Sequence, residues 1–124
     1  MSKNAWQFFD TLGTESQCKL YINSNFTADE KTLDRFIKVA DQFKQTVVHA
    51  SLDATGDIAE YSRQGLDYNT FLQNVHTWCQ TTNANNLLAF QSTVSIFNIW
   101  GLTDMFDLSI ELSQKYPGRI QSFY

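Results

Sequence analysis

Helix-spaced apolar stripes and short β-rich runs take turns along this chain. That alternation restricts the fold more than any other feature of its 124 residues. The runs at 19–23 (KLYIN) and 45–51 (QTVVHAS) are too short for buried helices and carry aromatic or β-branched residues, as strands do. A third strand is expected over 87–96 (LLAFQSTVSI), and a fourth opens at 119–124. Between them, Leu33, Phe36, Ile37, Ala40 and Phe43 recur at helical spacing and predict a helix over 30–43, capped by Thr27 or Asp29. Phe71, Leu72, Val75 and Trp78 predict another over 68–81, and a further helix over 102–115 is expected to be capped by Thr103 and stopped by Pro117-Gly118. Trp6, Phe8, Phe9 and Leu12 mark a short opening helix over 5–12, ending at Gly13. The order α-β-α-β-α-β-α-β, without a linker, predicts a single α/β domain over 1–124. It calls for three or four parallel strands joined by right-handed crossovers. The 45–51 run is apolar on both faces, which predicts a strand covered on both sides.

Composition narrows the function classes. A hydrophobic fraction of 43% with 15% aromatic residues supports a packed core rather than disorder. A net charge of −4 with scattered basic residues gives no footprint for nucleic acid. No apolar run approaches the roughly 20 residues of a membrane span, and MSKNAWQFFD does not read as a signal peptide, so the expected location is the cytoplasm. Cys18 and Cys79 lie far apart and match no metal-ligand spacing, which favours two reduced, buried thiols. The glycosylation pattern Asn25-Phe26-Thr27 reads as accidental without a secretion signal. His49 lies within a strand, and His76 on a helix has no acidic or cysteine partner at ligand spacing, so neither reads as a metal ligand. The aromatic set Trp6, Phe8, Phe9, Trp78, Trp100 and Phe106 is expected to pack helices onto the sheet. GxSxG, Walker and HExxH motifs are absent from the sequence.

The stretch 50–65 (ASLDATGDIAEYSRQG) follows an apolar run with a polar cluster, Ser51, Asp53 and Thr55, around Gly56. In βα units a strand ends and its loop begins at such a place, which is where ligand groups gather. Two edges present a difficulty, because a parallel sheet this small leaves strands open. The chain also starts on a helix and stops on a strand. The expectations are a piece of a longer barrel or open sheet, or pairing with itself or with a missing barrel half. A complete miniature α/β domain is the bland alternative.

The segment 51–75 (SLDATGDIAEYSRQGLDYNTFLQNV) resembles the fourth-strand region of radical S-adenosylmethionine enzymes, in particular their twitch-domain-containing group. Those proteins carry a strand ending in S-I/L-D-G, an EY-x-R-x-G element and a helix. Here stand Ser51-Leu52-Asp53-Ala54 and Glu60-Tyr61-Ser62-Arg63-Gln64-Gly65. LYINSNFT (20–27) is similar to the third strand with its T-N-G/A-T turn, and FQSTVSIFNIWGL (90–102) to the fifth strand and its helix entry. The resemblance covers most of the chain and implies a partial (βα) barrel with helices outside. In such enzymes a 4Fe-4S cluster passes one electron to S-adenosylmethionine (SAM), whose cleavage starts radical chemistry. The implied cofactor-binding residues are Ser51, Asp53, Arg63, Asn25 and Asn98, with Arg63 suited to a carboxylate. The ordinary alternatives are turn roles for Ser51, Asp53, Asn25 and Asn98, and a surface ion pair of Arg63 with Glu60 or Asp67. The departures are specific. The CxxxCxxC loop and the GGE segment are absent, Ala54 replaces a glycine, and Phe26 replaces a small residue. Three thiolates are needed for the cluster, so this chain alone is expected to be inactive.

Overall fold

The computed structural model describes residues 3–12 and 16–121. Its elements are α1 (Lys3–Leu12), β1 (Ser16–Ser24), α2 (Glu30–Ala40), β2 (Phe43–Ser51), α3 (Gly56–Ser62), α4 (Tyr68–Thr81), β3 (Leu87–Gln91), a 3-10 turn (Ile99–Gly101), α5 (Leu102–Lys115) and β4 (Ile120–Gln121). The four strands form one sheet in the order β1-β2-β3-β4, every pair parallel. The expected α/β class with a parallel sheet is therefore what the chain adopts.

Strand order explains where the helices lie. When successive parallel strands sit side by side, right-handed crossovers place every helix on the same face. The core confirms it. Ile22, Val48, Ala50, Leu88, Phe90 and Ile120 point to that face and join one cluster with apolar residues of α2, α4 and α5. The other face carries Tyr21, Asn23, His49, Ser51, Gln91 and Gln121, and no helix packs on it among the described residues. The expectation of a strand covered on both sides is thus corrected. Val47 and Ala89 are nonetheless buried on that second face.

Local chemistry sets the boundaries. Asp29 accepts from the Thr32 N–H at 2.9 Å and caps α2, and Asp67 does the same for α4 through the Thr70 N–H at 2.7 Å. Helix α2 stops at Ala40, earlier than the apolar stripe implied, because Phe43 already belongs to β2 and packs with Phe9 and Val39. Strand β3 ends at Gln91 instead of 96, because the Thr93 N–H leaves the ladder for the Asp53 carboxylate. Thr103 lies inside α5, whose N-cap is Gly101. Helix α3 occupies a stretch that showed no helical stripe. The fourth strand is described only as Ile120–Gln121; the remainder of the expected run lies outside the described residues.

Trp78 is fully buried at the centre of the helical layer, stacked on Phe36 with ring centroids 5.4 Å apart, and edge-on to Phe26. Trp6 and Phe9 pack α1 against α2 and β2. The other three aromatics expected to pack inward do not. Phe8 is 58% exposed, Phe106 54% and Trp100 90%. Arg119, at the entry to β4, donates to the carbonyls of Asn86, Thr82 and Trp78 and so fastens the end of α4 to the last strand. Cys79 is buried in α4, whereas Cys18 on β1 is exposed, which corrects the expectation of two buried thiols. No helix among the described residues is long and apolar enough to cross a membrane.

Candidate functional site

The C-terminal ends of β1, β2 and β3 lie together, because the strands are parallel and adjacent. Asn25 follows β1, Asp53 follows β2 and Thr93 follows β3. Arg63 arrives from the end of α3. Its Nε and Nη2 donate to Asp53 Oδ2 at 3.1 and 2.7 Å, and its Nη1 donates to Asn25 Oδ1 at 2.9 Å. The second carboxylate oxygen, Asp53 Oδ1, accepts from the Thr93 N–H at 2.9 Å. One buried carboxylate and one guanidinium thereby tie three strand-end loops and α3 together. Charge-assisted bonds of this kind are roughly twice as strong as neutral ones.

Asn98 belongs to the same assembly through Thr93. Its Nδ2 donates to the Thr93 carbonyl at 2.7 Å and its Oδ1 accepts from the Ser95 N–H at 2.7 Å. Asn98 is fully buried, so its role is to latch the β3–α5 loop. Ser51 ends β2 on the open face, two residues before Asp53, and its hydroxyl makes no hydrogen bond among the described residues. The five residues singled out in the sequence thus share one rim. Asn25, Asp53 and Arg63 touch directly, Asn98 joins through a backbone group, and Ser51 stands beside them on the sheet.

The alternative ion pairs for Arg63 are not formed. Glu60 accepts from the Tyr68 N–H at 2.9 Å and Asp67 caps α4, so both carboxylates serve the start of α4. The substituted turn residue, Phe26, has φ of +57°, in the left-handed region that favours glycine. Its ring is buried against Phe71 and Trp78, the Ser24 hydroxyl accepts its N–H, and Asn74 donates to its carbonyl at 2.9 Å. Packing and two polar contacts hold a conformation that the side chain alone disfavours. Ala54 is fully buried and its Cβ faces Gly101.

Sequence reasoning missed two parts of this region. The first is the Thr93 backbone N–H, which no side-chain pattern reveals. The second is the apolar rim formed by Val94, Ile96, Phe97 and Trp100, all exposed, with Tyr61 of α3 edge-on to Phe97 at 6.2 Å. A cavity of about 80 Å³ lies between the end of β1 and helices α2 and α4, lined by residues including Ser24, Phe26 and Asn74. It is far below the roughly 300 Å³ of a small-molecule site.

The remaining titratable groups carry structural duties. His76 Nδ1 lies 2.9 Å from the Tyr116 hydroxyl, and burial foremost, with Lys115 nearby, lowers its pKa. Burial pushes the Cys79 thiol up to about 11, which removes it as a nucleophile at neutral pH. His49 sits on the open face with its ring edge-on to Tyr21. No group of three His, Cys, Asp or Glu among the described residues can hold a metal ion. Comparison with protein-family models, with curated proteins and with solved structures gives no match for this chain.

Proposed function

We propose that these 124 residues are the SAM-binding part of a radical SAM-type barrel wall, inactive alone, with reductive cleavage belonging to a longer protein or assembly. One observation carries this reading. Residues chosen from three separate motifs, Asn25, Asp53 and Arg63, converge within hydrogen-bond distance at the C-terminal end of a parallel sheet whose adjoining face is open. That is the functional end of βα folds.

The donor set fits SAM in part. Ser51 Oγ and the Asn25 amide are donor types that suit a carboxylate or ribose hydroxyls. The exposed Phe97 and Trp100 rings offer apolar surface for an adenine. Arg63 and Asp53 are spent largely on each other, so they position the rim rather than grip the ligand. SAM, when bound beside a cluster, supplies the radical chemistry of such enzymes. The cluster itself does not fit this chain: Cys18 lies on β1, Cys79 is buried in α4, and no third thiol exists. A cytoplasmic location belongs to the same reading, since a reducing compartment preserves the exposed Cys18 as a thiol.

Isothermal titration calorimetry with SAM tests the proposal. Binding in the micromolar to millimolar range is expected, weakened at least tenfold in Ser51→Ala and in Arg63→Ala. Absence of heat at millimolar SAM, or binding indifferent to both substitutions, would end this reading. Anaerobic iron-sulfur reconstitution is expected to leave the chain without cluster absorbance, and cluster uptake would refute its inactivity alone.

A further inference from the structure

The segment 92–101 (STVSIFNIWG), between β3 and α5, is built inside out. Its polar residues bond to its own backbone. Asn98, fully buried, ties the Thr93 carbonyl to the Ser95 N–H. The Ser95 hydroxyl accepts the Phe97 N–H at 3.2 Å, and the Ser95 carbonyl accepts the Ile99 N–H at 3.0 Å. Its apolar residues face water instead. Val94, Ile96, Phe97, Ile99 and Trp100 are each more than half exposed, Ile96 by 80% and Trp100 by 90%. Hydrogen bonds hold the loop in this form, so a partner meets a surface that is already ordered.

Helix α3 extends this surface. Tyr61, 78% exposed, stands edge-on to Phe97 with ring centroids 6.2 Å apart. The Ile58 side chain lies 3.9 Å from where a Cβ on Gly101 would sit, which places it beside the end of the loop. An aromatic side chain buries about 150–250 Å², so the exposed parts of Tyr61, Phe97 and Trp100 alone come to about 450 Å². With the aliphatic side chains added, the surface reaches the top of the roughly 300–600 Å² of the largest patch on a typical monomer. A stacked base covers one aromatic face, so an adenine on the rim would leave most of this surface bare.

Charge selects the occupant. Residues 45–114 carry seven carboxylates and one cation, a net of −6 in a chain whose total is −4. The one cation, Arg63, is committed to Asp53. Asp57 and Glu60 border Ile58 and Tyr61 on α3, and Asp104 stands in the first turn of α5, just after Trp100. All three are exposed, and no ion pair among the described residues neutralises them. A second copy would set like charges against each other around the patch, and an anionic membrane would be repelled in the same way. The surface also offers side chains rather than an unpaired strand edge, which suits the face of a helix. We propose that the 94–100 loop and α3 form a docking surface for a cationic amphipathic helix of a partner protein. Its apolar face lies on Tyr61, Phe97 and Trp100, and its lysines or arginines meet Asp57, Glu60 and Asp104. The docking surface goes beyond the ligand reading above and does not depend on it.

The probe is a labelled synthetic helix of leucine and lysine in heptads, followed by fluorescence anisotropy as the full chain is titrated in without SAM. Micromolar binding is expected, and the same heptads with glutamate for lysine should not bind. Phe97→Ser combined with Trp100→Ser should weaken binding at least tenfold while circular dichroism stays native, since both rings face solvent. Asp57→Asn combined with Asp104→Asn leaves the apolar surface intact and should weaken binding at least threefold. No binding of the lysine peptide at hundreds of micromolar, or equal binding of the glutamate peptide, would overturn the proposal. So would wild-type affinity in either natively folded double variant. Two further measurements bear on other occupants. Sedimentation of the chain with phosphatidylcholine vesicles, or a dimer in light scattering, either of them lost in the Phe97–Trp100 variant, would give the patch to a lipid surface or to a second copy and sink this assignment. Peptide and SAM are titrated separately, so failure of one reading leaves the other standing.

Discussion

Replacing Asp53 with asparagine probes the rim where it is most committed. The substitution keeps the shape and can still accept from the Thr93 N–H, but it removes the charge and turns an amide donor toward Arg63 Nε and Nη2. The Arg63 and Asp53 side chains are only 25% and 11% exposed. Breaking a fully buried pair costs about 3–5 kcal/mol, whereas surface pairs contribute about 0–1 kcal/mol. With burial between these limits, the expected loss is about 2–3 kcal/mol. A chain of this length typically has about 6–18 kcal/mol of stability, so the variant should still fold. Urea unfolding followed by the fluorescence of buried Trp78 measures the change, with an unaltered m-value as the sign that both states are otherwise the same. A double-mutant cycle with Arg63→Met isolates the pair, and a coupling of about 2 kcal/mol is expected. A loss below about 0.5 kcal/mol would show that solvent screens the pair, and the account of Asp53 as the tie between three loops would be wrong.

Other expectations follow from single groups. Asn98→Ala removes both latches of the β3–α5 loop from a fully buried site. It should cost about 2–3 kcal/mol and speed amide exchange at Ser95 before the rest of the fold, and protection there equal to wild type would contradict the latch. His76 has a folded-state pKa below its unfolded value. The unfolded chain therefore binds the proton more readily, and stability should fall as pH drops through and below about 6.5; His76→Gln should flatten that slope in urea titrations at successive pH values. Asp29 and Asp67 are held below the usual carboxylate range by the N–H groups they cap. Their contribution is present above about pH 4 and should vanish as acid protonates them, visible as earlier acid unfolding lost in Asp29→Asn. Native iodoacetamide treatment at pH 8 should modify exposed Cys18 and spare Cys79, whose thiol titrates at about 11; mass spectrometry showing both modified in the folded state would contradict the burial.

Periodicity made the long elements legible. Helix α4 spans the same residues in sequence and structure because Asp67 caps it and Phe71, Val75 and Trp78 mark one face. The α5 range also agrees, although its cap does not. What periodicity cannot express is strand order, and strand order decided that one sheet face carries no helix among the described residues; the 45–51 run looked like a strand under a second helical layer. The rim residues were legible as types at strand ends. Their partners were not, because Asp53 meets Arg63 through α3, a helix too short to show a stripe, and meets Thr93 through a backbone group. Trp100 and Phe106 were misjudged for a related reason: aromatic character is read as core, while exposure depends on which neighbour a helix flank has.

The sequential order of the sheet also bears on how the chain assembles. Each strand finds its partner in the segment made just before it, so contacts are local along the chain and loop-closure costs stay low. The β1–β2 pair with α2 across it can form while the C-terminal half is still inside the ribosome. Later units then add at a growing margin, and Arg119 clips β4 onto α4 once that strand has emerged.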